Sequence, residues 1–243
     1  MANPLLKDSV FDKSASGSGD IYSVKEAMTI SGTINKSILL LILLAAGAVY
    51  TWLHPQVGQI VIMPALIIGF VLAMVCCFKQ NLSPTLAPVY AVCEGLVLGY
   101  ISRVFNQAYQ GIVVDAIFLT IAVLFCMLAA YRAGILRATP MFKRVVILAT
   151  LGIAVFYFIS MIMSFFGSMP SYFDMNNFST GSFVINLIIV GIAALNLIID
   201  FDTVEYGVKC GAPKYMEWYC SFALMVTLVW LYIEILRLLA RRR

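Results

Sequence analysis

Charge is scarce in this sequence. Lys, Arg, Asp and Glu together make up 12% of its 243 residues, against about 25% in an ordinary soluble domain. That deficit excludes a water-soluble globule, whose surface such groups must cover. The excess of 16 basic over 12 acidic residues is too small for a nucleic-acid-binding patch, so it bears on topology instead. Histidine is scarcer still, His54 being the only one. No metal-spaced His/Cys cluster, Gly-rich phosphate loop or nucleophile elbow occurs. These gaps argue against an enzyme and against a resident cofactor or metal. The six cysteines, Cys76, Cys77, Cys93, Cys126, Cys210 and Cys220, contain no C-x-x-C pair. Four lie inside apolar runs, where a thiol behaves as a small hydrophobe. Cys210 and Cys220 flank one loop and could bridge, but the topology below puts that loop in a reducing compartment.

What the chain does contain is apolar sequence. Hydrophobic residues are 62% of it, gathered into runs of about 20, which is helix length; membrane β-strands would show roughly ten alternating residues. The expected fold is an all-α integral membrane protein. Seven segments, 37–53, 59–78, 85–105, 111–131, 144–166, 181–203 and 215–239, are each long enough to cross a ~30 Å hydrocarbon core. His54-Pro55, Asn81-Leu82-Ser83-Pro84, Ala133-Gly134 with Thr139-Pro140, a polar loop over 167–180, and Gly207, Gly211 and Pro213 separate them. The sixth segment has the option of running on through Val204-Glu205-Tyr206. Residues 1–36 form a polar tail with no apolar run before Ile38, so no cleaved signal peptide is expected. Within it Ser14 to Gly19 reads as flexible, and Ser23 with Glu26 matches a capping box. Residues 241–243 are a basic C-terminal tail.

Basic residues orient the segments. Lys7, Lys13, Lys25 and Lys36 precede the first, Lys79 follows the second, Arg132, Arg137, Lys143 and Arg144 follow the fourth, and Lys209 and Lys214 follow the sixth. The opposite loops hold only Arg103. The positive-inside rule then places the N-terminus in the cytoplasm. Seven crossings put Arg237 and the terminal arginines outside, whereas a re-entrant seventh segment keeps them inside. The apolar stretch 222–235 favours a full crossing.

An ionisable side chain within a membrane is costly unless protonated or paired, so acids in the apolar runs are the first candidates for function. Glu94 lies near the middle of the third segment, beside the small-residue face of Gly95 and Gly99. It is either a carboxyl hydrogen-bonded in a packed interface or a functional group. Asp200 and Asp202 close the sixth segment. Positions i and i+2 point about 200° apart on a helix, so at most one faces the bundle interior. Asn196 shares the face of Asp200, and Asn186 lies further back, which outlines a polar stripe. Alternatively both acids end the helix at the water interface. Glu234 and Arg237 are spaced to pair, beside Trp230 and Tyr232, either as an interfacial anchor or as part of a site. In the expected topology Asp202, Glu94 and Glu234 stand at successive depths, as a cation or proton route requires. Asp115 and Ser102-Arg103 read as interfacial anchors.

Several motifs together resemble the Bax inhibitor-1 (transmembrane Bax inhibitor motif) family, in its bacterial YccA-like, Bax inhibitor-1 like branch. They are Glu94-Gly95-Leu96-Val97-Leu98-Gly99, Asp200-Phe201-Asp202-Thr203, Glu217-Trp218-Tyr219, and Val229-Trp230-Leu231-Tyr232-Ile233-Glu234-Ile235-Leu236-Arg237. The resemblance covers about residues 28–240. It implies six helices packed around a central seventh, a bacterial inner-membrane setting, and a pH-sensitive calcium leak attributed to an aspartate pair on helices six and seven. Asp202-Thr203 is similar to the family's helix-six Asp-Thr, with Asp200 a close second. On helix seven, matching through Leu236-Arg237 puts Thr227 at the aspartate position, whereas matching through Leu231-Tyr232-Ile233-Glu234 puts Glu234 there. With Thr227 the two-carboxylate sensor is incomplete. Lys79 is the nearest candidate for the family's basic latch on helix two.

Two functional expectations follow. The first is a cation-permeable membrane protein, a calcium or proton leak gated by protonation, with Asp200 and Asp202 at the cytoplasmic mouth and Glu94 as a relay. The second is a non-conducting protein that binds a membrane protease or stress factor through its N-terminal tail and small-residue faces. The lipid bilayer is a partner in both, and nucleic acid in neither.

Overall fold

The computed structural model describes residues 27–166 and 180–242. The flexible stretch, the capping box at Ser23 and Glu26, and Arg243 lie outside them. The described residues form seven helices: α1 (Ile30–Leu53), α2 (Pro55–Phe78), α3 (Ser83–Ala108), α4 (Ile112–Arg132), α5 (Pro140–Phe165), α6 (Thr180–Lys209) and α7 (Met216–Arg242). All seven are long and apolar enough to cross a membrane. Among the described residues there is no strand, only an isolated bridge between Ala27 and Pro213.

Local chemistry sets the helix ends. α1 starts at Ile30, well ahead of the expected residue 37, because the Thr29 hydroxyl caps it by accepting from the Gly32 N–H at 3.0 Å. The hydroxyls of Thr33 and Ser37 then fold back onto carbonyls one turn earlier, which lets polar residues continue the helix. Thr139 caps α5 in the same way, with Pro140 in the first turn. α2 likewise starts at its proline, Pro55, one turn ahead of the expected residue 59. α6 runs through Gly207 to Lys209, reinforced by a Glu205–Lys209 pair at 2.6 Å. It stops at Gly211, whose φ of +65° permits the bonds Gly211 N to Val208 O and Ala212 N to Gly207 O that close its last turn.

The chain divides into two units. Among the described residues one comprises 108–201 and 227–242, the other 27–107 and 202–226. α6 and α7 each contribute a segment to both. In the second unit α1 and α3 approach to backbone contact. A Cβ at Gly47 would lie 2.9 Å from the Val92 carbonyl, and Cβ atoms at Gly95 and Gly99 would collide with the carbonyls of Leu44 and Ala48. Thr51 donates across the same seam to the Leu96 carbonyl at 3.0 Å. Small residues serve this purpose between helices in lipid, where close backbone packing replaces the hydrophobic effect.

Burial separates lipid-facing from interior helices. The most apolar window of α7 is 56% buried, against 17% in α1, α2, α4 and α5. Large apolar side chains such as Ile60, Phe70, Phe118 and Phe158 are exposed, as a hydrocarbon surround allows.

Candidate functional site

In the first unit the buried side of α6 carries polar side chains. Ser182, Asn186, Ile189, Ala193, Asn196 and Asp200 are buried, alternately four and three residues apart, which is the spacing of a seam that faces a partner helix; toward the end of this stretch Leu197, Ile198 and Ile199 are buried as well. The residues turned outward between them, Val184, Ile185, Leu187 and Ile188, are large, apolar and exposed. The polarity is therefore reversed relative to a soluble helix. α5 presents a matching seam of Val146, Thr150, Ile153, half-buried Tyr157, and Ser160.

The two seams meet in antiparallel register. The Asn196 amide donates to the Thr150 hydroxyl at 2.8 Å and to the Ile192 carbonyl at 2.9 Å. Further along, Ile153 and Ile189 pack with Phe156, Tyr157, Ile192 and Trp230. Beside this apolar layer Tyr157 donates to Glu234 Oε1 at 2.7 Å, and Arg237 reaches the same oxygen at 3.4 Å while its guanidinium lies 5.8 Å from the Tyr157 ring centre. Glu234 and Asp200 are each only 1% exposed. Carboxyls, amides and hydroxyls held in a water-poor interior can pass protons or replace part of a cation's hydration. Among the described residues no group of three His, Cys, Asp or Glu could hold a metal ion.

The second unit holds Glu94, Asp202 and Lys79. Glu94 is half-buried, hydrogen-bonds with Tyr90 one turn earlier, and lies close to Gly69 of α2. Asp202 is half-buried and Lys79 is exposed at the end of α2. Cys210 and Cys220 are free thiols. Of the two aspartates closing α6, Asp200 is the one turned into the interior. Thr227 and Glu234 are both buried in the first unit, two turns apart on one face of α7, and Glu234 is held by Tyr157 and Arg237.

One cluster was not apparent from the sequence. Glu217, 1% exposed in the first turn of α7, accepts from the Thr29 N–H at 2.9 Å and the Thr29 hydroxyl at 3.0 Å, and pairs with the Lys36 ammonium. Lys36 also lies 5.6 Å from the Trp218 ring centre. Ser221, one turn on, donates to the Thr33 carbonyl at 2.8 Å. A Cβ at Gly32 would strike the Glu217 carboxylate. Thr29, Gly32, Thr33 and Lys36 follow the i, i+3, i+4, i+7 pattern of a single helical face, and that pattern was the available signal. Reading 1–36 as a tail concealed it.

Seven membrane-length helices whose apolar exterior encloses amides and carboxyls define an integral, multi-pass membrane protein. Within that class the chain belongs to the Bax inhibitor 1 like family, whose model matches residues 3–243. Comparison with curated proteins and with solved structures found no match.

Proposed function

We propose that this protein is a pH-sensitive cation leak, permeable to calcium or protons, whose route runs along the polar interior of the first unit. One observation carries the reading: Asp200 and Glu234, each 1% exposed, stand with Asn196 and Thr150 inside helices whose outer faces are lipid-like. Buried carboxyls of this kind are expensive to keep and are a default mark of ion or proton pathways. Asp200 is the gate carboxyl, and Glu234, held by Tyr157 and Arg237, takes the helix-seven role. The protein sits in a bacterial plasma membrane with its N-terminus in the cytoplasm, on the basic-residue asymmetry of its loops.

The test is flux in proteoliposomes. Wild-type protein is expected to pass calcium or protons at a rate that depends on pH. The double variant Asp200→Asn/Glu234→Gln is expected to lose that pH dependence. Absence of wild-type flux would remove the leak reading and favour a non-conducting partner of a membrane protease or stress factor. In that case deleting residues 1–22 should abolish co-purification of the partner.

A further inference from the structure

We infer that the α5–α6 seam of the first unit contains a water-binding station at Asn186, so that the polar face of α6 is wetted well beyond Asp200. The Asn186 side chain is 0% exposed, yet neither its Oδ1 nor its Nδ2 has a hydrogen-bond partner among the described residues. A carboxamide offers two donors and an acceptor with two lone pairs, and burying it without partners is costly. Nearby positions on the seam show how a buried polar group is normally met: Asn196 donates to Thr150. Even there the Asn196 Oδ1 has no hydrogen-bond partner among the described residues. Two buried amides on one face therefore offer hydrogen-bonding capacity that protein groups leave unused.

The register identifies what shares the level of Asn186. Ser160 follows Thr150 by the same number of residues as Asn186 precedes Asn196, and the contacts Asn196–Thr150 and Ile189–Ile153 show that α5 and α6 run antiparallel, so the register places Ser160 near the level of Ser182 and Asn186. Ser160 is itself buried, at 4% exposed. An amide opposite a hydroxyl supplies the two to four polar contacts that hold a buried water. Between this level and Asn196, Ile189 packs with Ile153, Tyr157 and Ile192, a largely apolar layer separating two polar ones. The ligand is water, and on the leak reading the same station hydrates the permeant cation. The station itself stands on the burial and hydrogen bonding of Asn186, and only its part in conduction rests on that reading.

Thiol chemistry tests it directly, because a charged thiosulfonate reagent reacts with a thiolate in water and not in a dry apolar site. Asn186→Cys, Ile189→Cys and Ile188→Cys proteins are reconstituted in liposomes loaded with and bathed in methanethiosulfonate ethylammonium. Labelling is read peptide by peptide by mass spectrometry, which separates the new thiol from the native ones. Position 186 should label at least about tenfold faster than buried Ile189 or lipid-facing Ile188. Equal rates at 186 and 189 would overturn the station. Asn186→Leu, which keeps the seam filled, should fold with an undiminished melting temperature; a clear loss of stability would show that the amide is held by protein and would also overturn it. Labelling at 186 in a protein that passes no ions would leave the station standing and remove the leak reading. A dry 186 in a conducting protein would do the reverse.

Discussion

Glu217 and Asn186 are both polar, both buried, and both set in membrane-length helices, yet they are treated in opposite ways. Glu217 in the second unit receives a backbone N–H, a hydroxyl and an ammonium, and a glycine is placed where any Cβ would displace it. The Asn186 side chain in the first unit has no hydrogen-bond partner among the described residues. The contrast separates two uses of polarity inside an apolar molecule. A saturated cluster holds elements together, since losing any one partner strands a charge. An unsaturated seam costs stability, and a chain that retains it does so for what the seam can bind.

That contrast makes a graded set of stability predictions, to be read as thermal unfolding in detergent. The largest effect is expected for Lys36→Met, which leaves the Glu217 carboxylate buried without its counter-ion. Breaking a buried pair in this way costs about 3–5 kcal/mol, whereas replacing both partners, as in Lys36→Met/Glu217→Leu, should restore much of the loss. Next comes Gly32→Ala. Its Cβ pushes the carboxylate off Thr29 and Lys36, at about 1–3 kcal/mol for an overpacked site. Thr150→Val should cost about 1 kcal/mol, the net worth of one hydrogen bond, because Asn196 keeps its bond to the Ile192 carbonyl. The smallest effect belongs to Asn186→Leu, expected to be neutral or slightly stabilising. A loss there equal to that of Lys36→Met would erase the distinction between the two regions.

Much of the fold was legible because apolar runs of membrane length leave few alternatives. The helix ends that moved did so where a hydroxyl cap or a first-turn proline overrode composition, as at Thr29, Pro55 and Thr139. The site was legible in part. Helical geometry alone lets only one of Asp200 and Asp202 face inward, but which one does depends on the rotation of α6 against α5. The 4-3 spacing from Asn186 through Asn196 to Asp200 carried that phase and pointed to Asp200, while motif resemblance favoured Asp202. Glu217 was hidden for a different reason. Its partners Thr29 and Lys36 are more than 180 residues away in sequence, and no local pattern near Met216 announces them. Tyr157 was missed likewise, since its bond to Glu234 spans 77 residues. Of the expected ladder, Glu94 and Asp202 belong to one unit and Glu234 to the other, where Asp200 also lies.

The most direct test of the account is calcium flux against pH in proteoliposomes for Asp200→Asn beside Asp202→Asn. If the buried seam of the first unit is the route, Asp200→Asn flattens the pH dependence and Asp202→Asn leaves it close to wild type. The reverse pattern, or two variants that both behave as wild type, would contradict it.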